Sequence, residues 1–131
     1  MASKGKSERQ ASPETILFVE DEALVRMDMA EFLRECGFRV HEAADANEAL
    51  EVLHAKINVD LVFTDINLPN GINGVELAEW TLSNRPGVKV LVTTGAAPGT
   101  GVPPAMGSLL AKPYTGRELL DRVNHALAKA T

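Results

Sequence analysis

Two short apolar runs that end in carboxylates place the strongest constraint on the fold of this chain. Residues 16–19 (ILFV) lead directly into the acidic residues 20–22 (EDE), and residues 59–63 (VDLVF) lead to Asp65. Apolar runs of this length are typical of buried strands in a parallel sheet. Because the carboxyl ends of parallel strands meet at one edge of an open sheet, we expect these acids to converge there.

Converging carboxylates predict a metal site. Like charges held close together raise one another's pKa unless a cation lies between them. Oxygen ligands suit a hard divalent ion, so Mg²⁺ is the predicted cofactor. The adjacent acids Glu20 and Asp21 are suited to holding the metal, whereas Asp65 stands alone on its strand and is the predicted nucleophile.

Two further strand ends supply groups that handle a phosphoryl group. Residues 88–92 end in Thr93-Thr94, and residues 109–111 are followed by Lys112-Pro113. A metal and a lysine neutralise phosphoryl oxygens, a hydroxyl donates a hydrogen bond to them, and a free carboxylate attacks phosphorus. Singly, the acids favour a helix start and the threonines favour strands. Four such groups at successive strand ends favour a shared function.

The segments between these runs have helical periodicity, which predicts alternating strands and helices. Gly37 stands where a left-handed cap would end the first helix, and residues 45–48 and 115–118 have the spacing of capping boxes. The apolar pattern places Cys36 and Leu120 in the core. Short connections predict an α/β fold in which helices cover both faces of a parallel sheet through right-handed crossovers.

The chain resembles the receiver domain of two-component response regulators, from about residue 15 to about residue 128. The residues that carry the likeness are Ile16-Leu17-Phe18-Val19-Glu20-Asp21-Glu22, Asp65-Ile66-Asn67-Leu68-Pro69, Gly74, Thr94-Gly95 and Lys112-Pro113-Tyr114. The resemblance implies a flavodoxin-like (βα)5 doubly wound sheet with strand order 2-1-3-4-5. It also implies a phosphoacceptor switch that catalyses its own phosphorylation and dephosphorylation, rather than a turnover enzyme.

The resemblance assigns a metal site to the acidic residues. Asp65 would take a phosphoryl group from a phosphohistidine on a histidine kinase or histidine phosphotransfer protein. Mg²⁺ would be held by Asp21, Asp65 and the backbone carbonyl of Asn67, with Glu20 reaching it through water.

The resemblance also assigns roles beyond the metal. Thr94 would bind a phosphoryl oxygen, and Lys112 would pair with Asp65 or with its phosphate. The Lys112-Pro113 peptide bond is often cis in this family. Phosphorylation would then alter binding to a downstream protein, or the chain would serve as a phosphate sink.

Four features depart from the family pattern. Glu20 replaces the more usual aspartate, the loop after Asp65 is about one residue longer than typical, and Leu109 stands where many relatives carry an aromatic switch residue. Residues 96–108 contain three prolines and three glycines. This stretch predicts a fourth helix that is shortened or replaced by loop.

Composition sets limits on partners and location. A net charge of -5 without clustered Lys and Arg argues against nucleic-acid binding. No apolar stretch approaches the ~20 residues that span a bilayer, and residues 1–13 lack the hydrophobic middle of a secretion signal, so we expect a cytoplasmic protein without a membrane partner. A single cysteine excludes an intramolecular disulfide. We expect a disordered N-terminal tail over residues 1–13 and a receiver domain over residues 14–131.

Three other interpretations stay open. The chain can be the receiver of a hybrid histidine kinase. It can also be a Mg²⁺-dependent aspartyl-phosphate phosphatase, although such enzymes carry a second acid two residues after the nucleophile and Asn67 stands there. A receiver-like fold without phosphorylation would ordinarily have lost Asp65 or Lys112. The histidines His41, His54 and His125 are expected away from the acids, as surface residues rather than phosphoryl donors.

Overall fold

The computed structural model describes residues 13–95 and 108–128, in which strands and helices alternate. The strands are β1 (Thr15–Val19), β2 (Arg39–Ala43), β3 (Leu61–Asp65), β4 (Lys89–Thr94) and β5 (Ser108–Ala111), and the helices are α1 (Ala23–Glu35), α2 (Ala46–His54), α3 (Gly74–Asn84) and α4 (Gly116–Leu127). The predicted tail lies outside the described residues except for Pro13. The predicted loop of residues 96–108 also lies outside them except for Ser108, which begins β5.

The five strands form one parallel sheet in the order β2-β1-β3-β4-β5. This order confirms the flavodoxin-like arrangement that the resemblance implied. Strand β1 lies between β2 and β3, and Val19 is aligned with Thr64 of β3. The residues that follow β1 therefore emerge beside Asp65, which is the last residue of β3.

Helices bury both faces of the sheet. Because successive strand residues point to opposite sides, each strand contributes side chains to two cores. On one face a core forms under α1 and α4, and on the other a core forms under α2 and α3. The first contains Ile16, Phe18, Leu33, Phe63, Leu119 and Val123, and the second contains Leu17, Val19, Leu53, Val62 and Leu77. The central strands β1 and β3 are buried along their whole length, as their apolar runs predicted.

Local turn and cap signals are confirmed at two of three places. Gly37 has φ 104°, and Thr115 and Glu118 form a complete capping box at the start of α4. Asp45 does accept the N–H of Glu48, but the Glu48 side chain accepts the N–H of Ala44 at 2.7 Å. The second half of the predicted box at Asp45 is therefore wrong, since the side chain reaches one residue further back.

Two predicted core residues lie further out than expected. Cys36 is exposed, because α1 ends at Glu35 and Cys36 is the C-cap residue rather than part of the helical face on the sheet. Leu120 is only half-buried, because Leu119 and Val123 occupy the side of α4 that faces the sheet. No helix within the described residues is long and apolar enough to cross a membrane.

Candidate functional site

Three acids converge at the carboxyl edge of the sheet, as the sequence predicted. One carboxylate oxygen each from Glu20, Asp21 and Asp65 lie within 4.8 Å of one another. Glu20 and Asp65 are buried, whereas Asp21 is exposed. The neighbouring ends of β1 and β3 produce this cluster, and its oxygen donors are the type that hard divalent cations prefer.

Glu20 is fully buried, and its two carboxylate oxygens have different surroundings. Oε2 accepts the backbone N–H of Glu22 at 3.0 Å. Oε1 has no hydrogen-bond partner and lies 3.9 Å from Nζ of Lys112. Burial raises the pKa of Glu20, and the Glu22 N–H and Lys112 oppose this shift only in part. An additional cation beside Oε1 would favour the charged carboxylate, so the residues present fit a bound metal.

Asp65 is held at both carboxylate oxygens. Oδ1 accepts the backbone N–H of Asn67 at 3.0 Å, and Oδ2 accepts a hydrogen bond from Nζ of Lys112. The hydroxyl of Thr64 donates to the Asp65 carbonyl at 2.9 Å. With 4% of its surface exposed, Asp65 is oriented by its neighbours rather than by bulk water.

Lys112 follows β5, and its peptide bond with Pro113 is cis, as the resemblance implied. Burial alone lowers the pKa of this lysine, but the hydrogen bond and the negative charge of Asp65 outweigh burial, so the net pKa is raised. The ammonium therefore stays charged beside Asp65. A fixed positive charge at this point is suited to neutralising phosphoryl oxygens.

The two threonines that end β4 differ in their environment. Thr93 is aligned with Asp65, but its hydroxyl donates to the Leu110 carbonyl of β5 at 2.7 Å. Thr94 is one residue further along, and its carbonyl accepts the N–H of Lys112 at 2.9 Å. The Thr93 hydroxyl is thus engaged within the sheet, whereas the assignment of Thr94 to a phosphoryl oxygen stays a prediction.

Gly74 contacts the turn after Asp65 more closely than the sequence could indicate. Its N–H donates to the Ile66 carbonyl at 2.7 Å, and a Cβ atom built at Gly74 would lie 1.9 Å from the Asp65 carbonyl oxygen. In the sequence this glycine is one of several turn residues between Asp65 and the next helix, and it is part of the family likeness. The structure gives it a physical role, because the start of α3 reaches Asp65 only without a side chain.

Arg26 is a site-supporting residue that sequence analysis missed. Its guanidinium donates to the Glu20 carbonyl at 2.9 Å and pairs with Glu42 of β2 at 3.3 Å. These contacts connect α1, the end of β1 and the edge strand. No local pattern predicts them, since the partner carboxylate lies 16 residues away in the chain.

The remaining sequence-predicted residues lie outside the acid cluster. Leu109 packs beside Ala78, Val90 and Val92 on the α3 side of the sheet. The three histidines lie in β2, at the end of α2 and in α4, and none belongs to the acid cluster. His54 and His125 are exposed as expected, whereas His41 is half-buried in the edge strand.

Comparison with known proteins agrees with this geometry. A family model described as "Response regulator receiver domain" matches residues 16–124. This chain belongs to the response regulator receiver domain family. Receiver domains are signalling switches that interact with histidine kinases or phosphotransfer proteins and with downstream partners. The acids, the threonine hydroxyls and the lysine at the sheet edge are consistent with this class of protein.

Individual relatives support the same family. The transcriptional regulatory protein PdtaR of Mycobacterium tuberculosis is 43% identical over 86 residues, which are 63% of this chain and 40% of that protein. The crystal structure of the receiver domain from the hybrid histidine kinase CckA is 36% identical, with a TM-score of 0.73, and the match covers 87% of this chain and 99% of that one.

A third relative was solved with ligands. The response regulator TrrA of Thermotoga maritima, in complex with Mg²⁺ and BeF, is 28% identical with a TM-score of 0.78. The match covers 87% of this chain and 99% of that one. By contrast, the chain spans less than half the length of PdtaR.

Proposed function

We propose that this chain is the phosphoacceptor of a His-Asp phosphorelay and that Asp65 is the residue phosphorylated. The observation that carries the proposal is the fixed carboxylate of Asp65, bonded by Lys112 and the Asn67 N–H, with Glu20 and Asp21 oxygens within 4.8 Å. Such a group is oriented for attack on phosphorus, and the positive charge that the reaction needs is close by.

Phosphoryl transfer to Asp65 needs no other nucleophile. A carboxylate oxygen of Asp65 attacks phosphorus as the bond from phosphorus to the donor imidazole nitrogen breaks, and the electron pair of that bond returns to the nitrogen. Lys112 then pairs with the new phosphoryl oxygens, and Thr94 donates a hydrogen bond to one of them. Thr94 ends β4 and Lys112 follows the neighbouring strand β5, which supports a shared role at the same phosphoryl group.

Mg²⁺ is the proposed cofactor, and when bound it would supply positive charge that lowers the repulsion between the acids and the phosphoryl group. Asp21, Asp65 and the backbone carbonyl of Asn67 would hold it, with Glu20 reaching it through water. Three observations support this set: the oxygen-only donors, the Glu20 oxygen without a partner, and the presence of Mg²⁺ in the complex of the relative TrrA.

The proposed phosphodonor is a phosphohistidine on a histidine kinase or phosphotransfer protein. Two large apolar side chains beside the site favour a protein donor. Leu24 and Met27 of α1 are 78% and 55% exposed, and they are the exposed large hydrophobic residues of the described chain. The helix that carries them starts three residues after Glu20, so a partner on this surface would lie at the end of the sheet that carries the acids.

A related second candidate is the receiver of a hybrid histidine kinase, over residues 14–131. The similarity to the receiver domain of CckA favours it, because that domain is matched over almost its full length. The chemistry at Asp65 is the same in both candidates. They differ in whether the kinase that supplies the phosphoryl group belongs to the same protein.

Phosphoryl uptake from a small donor tests the proposal. The chain is incubated with Mg²⁺ and acetyl phosphate, and intact mass is expected to rise by one phosphoryl group. Asp65→Asn should abolish the addition without loss of the fold, because an amide is not a nucleophile. Asp21→Ala should weaken Mg²⁺ binding in titration calorimetry and slow labelling with it.

Thr81→Val is the matched control, because Thr81 is buried in α3 with its hydroxyl bonded to the Leu77 carbonyl. It should label like the unmodified chain. Equal labelling of Asp65→Asn would refute Asp65 as the phosphoacceptor. Release of phosphate from the small donor without a phosphoryl group appearing in the intact mass would favour the phosphatase interpretation.

A further inference from the structure

Two buried polar side-chain atoms in the described part of the chain have no hydrogen-bond partner, and both lie at the acid site. They are Oε1 of Glu20 and the hydroxyl of Tyr114. Buried polar groups are almost always paired, and an unpaired one is costly. The coincidence of an unpaired donor and an unpaired acceptor at one edge of the sheet therefore needs an explanation.

Tyr114 lies where its hydroxyl can serve this site. It follows Lys112 by two residues, and its ring packs edge-on against Phe63 with centroids 5.9 Å apart. It also lines a cavity of about 330 Å³ together with Lys112 and Glu22. Burial raises the pKa of Tyr114, and the charges of Glu20 and Asp65 raise it further. The hydroxyl is therefore a protonated donor that interacts electrostatically with both carboxylates.

The free oxygen of Glu20 is complementary to that donor. A carboxylate oxygen only accepts hydrogen bonds, whereas a protonated phenol hydroxyl can donate one. The other oxygen, Oε2, already accepts the Glu22 N–H at 3.0 Å. Nζ of Lys112 lies 3.9 Å from Oε1, which is too far for a hydrogen bond. None of these contacts therefore holds Oε1 of Glu20 in place.

We propose that Tyr114 is a positioning residue whose hydroxyl is linked to Oε1 of Glu20 by hydrogen bonds through one shared water molecule. This link orients the glutamate toward the metal site. Charge-assisted hydrogen bonds of this kind are short and directional, and groups that orient metal-binding carboxylates affect metal affinity strongly. The effect on metal binding rests on the proposed function, whereas the hydrogen bond itself does not.

Tyr114→Phe tests the proposal because it removes one oxygen and keeps the ring that packs on Phe63. Titration calorimetry on the full chain should show Mg²⁺ binding weakened about tenfold. In a Glu20→Ala background the same change should have no further effect, because the group that it positions is gone. Thr81→Val, which alters a buried hydroxyl in α3, should leave Mg²⁺ affinity unchanged in both backgrounds.

A spectroscopic measurement reports the bond without metal. The chain has a single tyrosine, so its hydroxyl proton should give one slowly exchanging resonance in the proton NMR spectrum, and Tyr114→Phe removes it. Glu20→Ala should move this resonance upfield as the acceptor is lost. A Glu20→Asp variant keeps the charge with a shorter arm and serves if the alanine variant does not fold.

Two results would overturn the proposal. One is Mg²⁺ binding by Tyr114→Phe that equals that of the unmodified chain. The other is a hydroxyl resonance that does not respond to either substitution of Glu20. If the unmodified chain instead fails to take up phosphate while the hydroxyl resonance responds as expected, the proposed function is wrong and the Tyr114 to Glu20 link stands.

Discussion

Gly74→Ala is the substitution for which the structure predicts the clearest effect. The new Cβ would lie 1.9 Å from the Asp65 carbonyl oxygen, whereas real Cβ contacts are essentially never below 3.0 Å. The start of α3 and the turn after Asp65 must therefore separate by at least about 1.1 Å, the difference between those two distances. Leu77 and Ala78 of α3 are buried in the cores on this face of the sheet and resist movement of the helix, so much of the displacement falls on the Asp65 turn.

The magnitude follows from overpacking and from misplacement of the nucleophile. Inserting a methyl group where none fits costs about 1 to 3 kcal/mol. For a chain of this size each kcal/mol lowers the thermal midpoint by roughly 4 °C. Shifts near 1 Å at a reacting group slow reactions by up to about a hundredfold, so we expect phosphoryl uptake to slow at least roughly tenfold.

Thermal unfolding and the rate of labelling by acetyl phosphate measure the two effects separately. Gly87→Ala is the matched control, because a Cβ there meets nothing within 4 Å. It should be neutral or stabilise the fold by up to about 1 kcal/mol, since alanine restricts the unfolded chain. If Gly74→Ala unfolds and labels like Gly87→Ala, the close approach to Asp65 has no energetic importance and the reasoning fails.

Three further substitutions at or near the site have defined expected outcomes. Thr94→Ala should impair the conformational response to phosphorylation, as measured by amide exchange, more than Thr93→Ala does. A larger effect of Thr93→Ala would exchange the roles of the two threonines. Because burial raises the pKa of Glu20, its contribution to the stability of the metal-free fold is complete below its ordinary pKa near 4.5 and is lost as pH rises through the raised value. Glu20→Gln should therefore stabilise the fold at pH 7, and the gain should vanish in acid. Leu24→Ser should slow transfer from a phosphorylated histidine kinase about fivefold while labelling by acetyl phosphate stays unchanged, and equal slowing of both would argue against a docking surface.

The family resemblance supplied the order of the strands, which the apolar periodicity alone did not determine. Alternating apolar runs predicted a parallel sheet with helices on both faces, but several strand orders satisfy that pattern. The order 2-1-3-4-5 came from the resemblance and is confirmed. The convergence of Glu20, Asp21 and Asp65 depends on that order, because only neighbouring strands bring their ends together.

Structural features that depend on residues close together in the chain were determined by the sequence itself. The capping box at Thr115 and the left-handed conformation of Gly37 depend on near neighbours along the chain. The same is true of the polar residue types at the strand ends, and hence of the chemistry open to the site. For these features a short stretch of chain contains all the interacting groups.

Features that depend on packing were decided only by the tertiary structure. The exposure of Cys36 follows from where α1 ends, and the close approach of Gly74 follows from how α3 reaches the Asp65 turn. Arg26 and Tyr114 gain their positions from partners on other elements. Lys112 and Asp65 are 47 residues apart. Contacts over such separations form when the sheet and helices pack together, so no local pattern of residues encodes their distances.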